Sequence, residues 1–163
     1  MDPWLRPIQL EGELVKLVPL QKSQKVDLVF AASDGKLWEL WYTTVPSPKT
    51  MDSYLDTALA EQALGKALPF AVINKKTNTI VGSTRYLNVD SKNKRVEIGA
   101  TWYAKKVQRT GINTECKYLL LKYAFENLNC IAVEFRTHFH NHASRNAILR
   151  LGAKQDGSWR TQR

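Results

Sequence analysis

Residues 107–115 contain a single glycine, Gly111, and the basic residue Arg109, and they directly follow two further basic residues, Lys105 and Lys106. This segment falls between a predicted strand and a predicted helix. Glycine lets the backbone approach a ligand closely, and the first turn of a helix presents unpaired N–H groups with a partial positive charge. Such a turn suits a pyrophosphate. A loop with one glycine before a helix is also a common plain connection, so the residues alone leave both interpretations open.

Three histidines, His138, His140 and His142, alternate along the chain. In an extended strand they would share one side and offer three nitrogen ligands to zinc. The run crosses from a predicted strand into a predicted helix, so the alternation breaks, and no cysteine or carboxylate completes a site. We therefore predict no metal. Cys116 and Cys130 lie within or beside apolar stretches and are predicted to be buried thiols.

Hydrophobic periodicity divides the chain into strands and helices. Alternating or continuous apolar runs bounded by polar turns predict strands at 13–20, 69–74, 79–89, 95–103 and 131–137. Apolar residues at helical spacing predict helices at 24–32, 51–63, 114–128 and 141–152. The first helix takes this spacing from Val26, Val29 and Phe30, and the second follows Thr50, a predicted N-cap.

The order of these elements predicts the sheet. Residues 69–103 are expected to form an antiparallel meander, whereas strand, helix and strand over 95–137 require parallel pairing with a right-handed connection if the two strands are neighbours. The predicted fold is therefore α+β (mixed α/β), with a central mixed, mostly antiparallel sheet and helices on both faces. We expect residues 1–163 to form a single domain, in which a final strand is missing.

Composition narrows the class of protein. The chain is 44% hydrophobic and 24% charged and has no apolar run long enough for a membrane helix. Residues 1–9 do not resemble a secretory signal, so we expect a cytoplasmic protein that does not bind membranes. The net charge of +9 is spread along the chain, without a continuous basic tail. Positive charge attracts nucleic acids and anionic small ligands alike, but nucleic acid is disfavoured because aromatic and basic residues do not interleave on the strands.

Two motifs resemble those of the GNAT acetyltransferases. Residues 108–113, Gln-Arg-Thr-Gly-Ile-Asn, resemble the coenzyme A loop Gln/Arg-x-x-Gly-x-Gly/Ala, with Asn113 in the final place. Residues 141–153 resemble the second motif of the family, which has an Asn near a helix start and Leu-Gly about one helix length later. Residues 96–99 and 14–20 are similar to the ribosomal-protein N-terminal acetyltransferase subgroup, the RimJ/RimL type. The similarity spans roughly residues 10–156.

The resemblance implies that acetyl-coenzyme A is the cosubstrate and that the parallel strand pair splays around it. Backbone N–H groups of 109–113 would bind the pyrophosphate, pantetheine would lie between the splayed strands, and Ser144 would act near the sulfur. The histidines would border this groove. The implied cofactor-binding residues are Thr101, Trp102, Tyr103, Gln108, Arg109, Thr110, Gly111, Ile112, Asn113, Thr114, Asn141 and Ser144.

Acetyl transfer to an amine requires a proton acceptor and an oxyanion partner. Strand alternation places Glu97, Gly99 and Thr101 on one face, and residues 96, 98, 100 and 102 on the other. Glu97 is the candidate base, directly or through water, and Ser144 is the second candidate catalytic residue. The alternative for Glu97 is a solvated or salt-bridged carboxylate. Ile148 occupies the position of the tyrosine that protonates the leaving thiolate in many members of the family.

The resemblance implies that Trp38, Trp41 and Tyr42 form a wall of the acceptor pocket, and their alternative role is plain core packing. The acceptor would be a protein N-terminus or a small-molecule amine, and the protein a monomer or homodimer. A competing hypothesis is a catalytically degenerate domain that binds coenzyme A or a protein partner without turnover. A missing last strand would favour it, because an exposed sheet edge invites pairing with another chain.

Overall fold

The computed structural model describes residues 4–39 and 45–135. In these ranges the chain forms a six-stranded sheet with the strands in sequence order. The strands are β1 Leu10–Glu11, β2 Val15–Pro19, β3 Leu68–Asn74, β4 Thr79–Asp90, β5 Arg95–Tyr103 and β6 Ala132–Phe135. The helices are α1 Lys25–Ser33, α2 Met51–Ala63 and α3 Gly111–Glu126, with short 3-10 turns at Lys22–Gln24, Leu37–Glu39 and Lys105–Val107.

The sheet is mixed, as the sequence predicts. Strands β1 to β5 pair antiparallel with their neighbours, and β6 pairs parallel with β5, with Val96 opposite Val133. Helix α3 makes the crossover between β5 and β6. This arrangement confirms the predicted parallel pair and the α+β class.

Helices lie on both faces of the sheet. On one face, the buried hydroxyl of Tyr86 in β4 donates a hydrogen bond to the carbonyl oxygen of Leu120 in α3. On the opposite face, Tyr54 of α2 donates to Ser83 Oγ at 3.4 Å. Because Ser83 and Tyr86 are an odd number of residues apart on one strand, their side chains point to opposite faces.

The apolar stripe from which α1 is predicted meets the core only through Val29, which packs against it partly buried. Val26 and Phe30 are 77% and 73% exposed, and the buried residues of the helix are Leu28, Ala31 and Ala32. Helical spacing identifies a stripe but does not say which of two neighbouring stripes meets the sheet. Small alanines allow α1 to approach the sheet closely, which the bulkier stripe would not.

The start of α3 and the capping of α2 also differ from expectation. Helix α3 begins at Gly111 and not at residue 114, so that Gly111, Ile112 and Asn113 form its first turn. Thr50 does precede α2, but its hydroxyl accepts no hydrogen bond from the helix; it accepts one from the Ser47 N–H at 2.8 Å. Among the residues described, no helix combines the length and apolar character that crossing a membrane requires.

Candidate active site

A bulge in β5 changes the face of every residue that follows it. Ser83 lies opposite Trp102 and Arg85 opposite Gly99, so β5 has one residue more than β4 in this interval. The backbone accommodates the extra residue at Ala100, which has a positive φ of 50°. Bulges of this kind re-aim side chains and are frequent beside active sites.

The alternation predicted for β5 is therefore wrong beyond Gly99. Thr101 shares a face with Thr84, since their hydroxyl oxygens are 2.7 Å apart, and that face is covered by α3. Trp102 moves to the face of Glu97, where its Nε1 donates to the hydroxyl of Tyr54 at 3.3 Å.

Trp102 begins a chain of hydrogen bonds into the sheet. The Tyr54 hydroxyl that accepts from Trp102 donates in turn to Ser83 Oγ, and Ser83 donates to the carbonyl oxygen of Phe70 at 2.8 Å. Three side chains from α2, β4 and β5 are thus held in one arrangement. The two hydrogen bonds of the Tyr54 hydroxyl therefore hold its ring in position over the sheet.

Glu97 is a buried carboxylate with a defined partner. It is 7% exposed and accepts a hydrogen bond of 2.6 Å from Asn88 Nδ2. Asn88 reaches it from a second irregularity, in β4, where its φ is 47°. In the parallel register Glu134 lies beside Glu97, so two carboxylate side chains occupy neighbouring positions on one face.

The first turn of α3 exposes main-chain donors. Thr110 is the N-cap, and its hydroxyl accepts from the Ile112 N–H at 3.3 Å. The N–H groups of Arg109, Gly111 and Asn113 donate to no acceptor within residues 4–39 and 45–135. Ile112 does not offer a free donor, because its side chain is buried and its N–H is hydrogen-bonded to Thr110.

The residues before this turn are held in place from two sides. Gln108 Nε2 donates to the carbonyl oxygen of Tyr103 at 3.0 Å, so its side chain stabilises the loop. The Lys106 N–H donates to Asp34 Oδ2 at 2.7 Å, at the end of α1. Arg109, with a φ of 64°, is exposed, as are the side chains of Lys105 and Lys106. The first turn of α3 contains no acidic residue, so the local field is positive.

Beneath this loop, α3 buries three titratable side chains against the sheet. Burial raises the pKa of Cys116 to about 12 and the pKa of Tyr103 well above its usual value, so both are neutral. Burial also lowers the pKa of Lys117 to about 8, and its Nζ lies 5.8 Å from the centre of the Phe135 ring. Cys116 and Cys130 are buried free thiols, as predicted, and a thiol at this pKa is a poor nucleophile.

The structure brings some of the predicted site residues together and leaves others undescribed. Residues 101–103 and 108–114 lie at the end of β5 and the start of α3, and Glu97 lies earlier on β5. Trp38 lies partly buried against the core in a 3-10 turn. The predictions for Trp41, Tyr42, His138, His140, Asn141, His142, Ser144, Ile148 and Gly152 fall outside the described residues.

Sequence reasoning missed Arg85, Tyr54 and Asn88, which surround the Glu97 face. Arg85 is the clearest omission, because it is the only charged residue in the stretch 79–89, which was predicted to be a strand. This isolated charge was the sequence feature that could have identified Arg85 as a candidate site residue. Nothing in the sequence indicates Asn88, since its position depends on the irregularity in β4.

The comparisons with known proteins agree with this architecture. Residues 15–154 match the family model described as "Acetyltransferase (GNAT) domain". A GCN5-related N-acetyltransferase from Brucella melitensis is 26% identical with a TM-score of 0.78, covering 92% of this chain and 69% of its own. A probable acetyltransferase from Chromobacterium violaceum is 26% identical with a TM-score of 0.76, covering 91% and 74%.

The fold is also that of RimJ from Mycobacterium smegmatis in complex with CoA-disulfide, at 20% identity and a TM-score of 0.72, covering 90% of this chain and 73% of that one. A search of the curated proteins found no match. Because the family model spans most of the sequence, the chain belongs to the GNAT acetyltransferase family. Its class of activity is acetyl transfer.

Proposed function

We propose that this protein transfers an acetyl group from acetyl-coenzyme A to a primary amine by direct attack within a ternary complex. The amine nitrogen attacks the thioester carbonyl carbon, the C–S bond breaks, and the thiolate leaves as coenzyme A. The amine gives up a proton in the same reaction. No covalent enzyme intermediate is needed, which agrees with the buried, protonated state of Cys116.

The observation that carries this proposal is the set of open N–H groups on Arg109, Gly111 and Asn113. They lie directly after β5, at the positive end of α3, where a diphosphate is stabilised by backbone donors and by the helix dipole. The exposed side chains of Lys105 and Arg109 add charge. RimJ, which shares the fold, was solved with a coenzyme A derivative, which supports the same ligand here.

The acyl end would extend back along β5 toward the Ala100 bulge. Glu97 lies six positions before Tyr103 on the strand, about 20 Å at the usual rise per residue. In this proposal the backbone between Ala100 and Trp102 stabilises the oxyanion, and the pantetheine arm lies between the ends of β5 and β6. Asn141 and Ser144 are the proposed partners of that arm.

Glu97 is the proposed base. Its buried carboxylate, oriented by Asn88, is positioned to accept the proton of the amine directly or through water. Trp38, Trp41 and Tyr42 are the proposed wall of the acceptor pocket. The acceptor is a protein N-terminus or a small-molecule amine.

The test combines binding with turnover. Acetyl-coenzyme A is expected to raise the melting temperature by ligand linkage, and a panel of amines is expected to include acceptors that release free thiol. Glu97→Gln is expected to keep the thermal shift and lose about a hundredfold in turnover. The exposed Glu126, changed to Gln, is the matched control. A thermal shift without any acetylated amine would instead support the degenerate alternative.

A further inference from the structure

Arg85, in the middle of β4, is a buried cation with unused hydrogen-bonding capacity. The residue is 8% exposed, and its Nε has no hydrogen-bond partner among the described residues. Within the described ranges its ion-pair partner is Glu61, with 3.5 Å between Nη1 and Oε1, and the Glu61 side chain is 44% exposed. The guanidinium carbon lies 5.4 Å from the centre of the Tyr54 ring.

These contacts do not compensate the burial of a guanidinium. The group carries five N–H donors in a fixed plane, and a buried charge is costly unless paired and hydrogen-bonded. A long ion pair to a half-exposed carboxylate and one aromatic face satisfy only part of this requirement. An unsatisfied buried donor in a folded protein calls for an explanation, and a ligand that supplies the missing acceptors is the simplest one.

The position of Arg85 places it beside the proposed chemistry. It lies opposite Gly99, two residues from Glu97, and all three share the face that Tyr54 covers. Arg85 and Glu97 are thus diagonal neighbours on adjacent strands, with backbones about 7–8 Å apart. The hydrogen bonds from Trp102 to Tyr54 and from Tyr54 to Ser83 fix the ring against which the guanidinium stacks.

The charges on this face are arranged in two poles. Arg85 supplies the positive pole, and Glu97 with its register neighbour Glu134 supplies the negative one. An acceptor that carries an ammonium and an acidic group a few bonds apart matches both. The planar fork of a guanidinium fits a carboxylate with two parallel hydrogen bonds.

We propose that Arg85 binds a carboxylate carried by the amine acceptor, so that the substrate class of this acetyltransferase is small amino acids and similar compounds that bear both groups. This inference rests on the proposed function, because it assumes that the acceptor occupies the face of Glu97. Arg85 determines specificity and takes no part in bond making.

The test uses three acceptors that differ only in the group at the carboxylate position: an amino acid, its carboxamide and its phosphonate analogue. The wild-type protein is expected to have the lowest KM for the carboxylate, and the carboxamide is expected to be about tenfold or more weaker. Arg85→Met is expected to abolish that preference while leaving the Kd for acetyl-coenzyme A within about twofold. Arg95→Met, at an exposed position on β5, is the matched control and retains the preference.

Binding is also measured without acetyl-coenzyme A, as the thermal shift produced by the amino acid alone. This arm separates the two proposals, since a shift that Arg85→Met removes supports carboxylate binding by Arg85 even if no acetyl transfer is found. Arg85→Lys keeps the charge without the fork and is expected to restore only part of the preference, which serves if the methionine variant fails to fold. Equal KM values for acid and carboxamide in the wild type, or an unchanged preference in the Arg85 variants, would overturn the proposal. A phosphonate preferred over the carboxylate would also contradict it.

Discussion

Gly12 lies against the carboxylate of Glu115, so closely that a Cβ added at Gly12 would be 2.5 Å from Glu115 Cδ. That carboxylate accepts hydrogen bonds from the main-chain N–H groups of Glu13, Leu14 and Val15, at 3.0, 2.7 and 2.8 Å. One side chain from the second turn of α3 therefore holds the turn between β1 and β2. Its charge is engaged by backbone donors, one turn away from the open N–H groups of the helix.

Glu115→Ala is expected to lower the free energy of unfolding by about 2 kcal/mol or more, because three backbone donors lose a charged acceptor. Gly12→Ala is expected to have a similar effect, since its methyl group displaces the same carboxylate. Chemical denaturation of both single variants and the double variant measures this directly. In the double variant the two effects should not add, and full additivity would contradict the contact. Glu126→Ala, on the exposed end of α3, is the control.

The bulge at Ala100 gives a second prediction. Ala100 is exposed and has a φ of 50°, a conformation that glycine adopts without strain and a β-branched residue does not. Ala100→Gly is expected to change stability by less than about 1 kcal/mol, and Ala100→Val to lower it by about 1–3 kcal/mol. If this backbone supports the acyl group, Ala100→Val should lower kcat more than it weakens acetyl-coenzyme A binding. Retention of full kcat by the valine variant would argue against that role.

Lys117 makes the stability depend on pH in a defined sense. Burial lowers its pKa from 10.5 to about 8, so between these values the unfolded chain binds more protons and stability rises with pH. Cys116 and Cys130 act oppositely, because burial raises the pKa of each from 9.0, to about 12 and about 11, and their contribution is lost as pH rises above about 9.

Comparison with Lys117→Met isolates the lysine from the cysteines. The variant is expected to be more stable than the wild type at about pH 7, by up to roughly 3 kcal/mol, and this advantage should shrink as pH approaches about 10. Denaturation at both pH values gives the difference. Lys122→Met, exposed on the same helix, should show a constant difference. A constant difference for Lys117→Met as well would contradict the buried, charged lysine.

The basic residues before α3 should make cofactor binding sensitive to salt. Arg109→Ala is expected to weaken acetyl-coenzyme A binding about fivefold at low ionic strength and less at high ionic strength, because exposed charges are screened. Calorimetric titration at two salt concentrations measures both effects. Lys122→Ala is the control for loss of an exposed charge elsewhere on α3. Equal affinity of wild type and Arg109→Ala at low salt would exclude this side chain from the site.

Local pattern was enough for much of the fold. The bounds predicted for β5 and α2 match the structure, and the parallel pairing of β6 with β5 follows from a strand, helix, strand order. These features depend on hydrophobic periodicity and on connection length, and both can be determined from residues that are close together in the sequence. The start of α3 was predicted three residues too late, although Thr110 before Gly111 is a recognisable N-cap signal.

Features that depend on neighbouring strands were not accessible in the same way. The bulge at Ala100 reverses the faces of Thr101 and Trp102, and only the pairing with β4 reveals it. The buried state of Arg85 depends on the covering Tyr54 from α2. Both features belong to the candidate site, where local regularity is commonly broken.

The most direct test of the central claim is an NMR titration of the isotope-labelled protein with coenzyme A, following the backbone amide signals. The N–H groups of Arg109, Gly111 and Asn113 are expected to shift most, as they gain acceptors from the diphosphate, while the amides of the distant Lys22–Gln24 turn stay unchanged. Saturating coenzyme A that leaves these three signals in place would contradict the account.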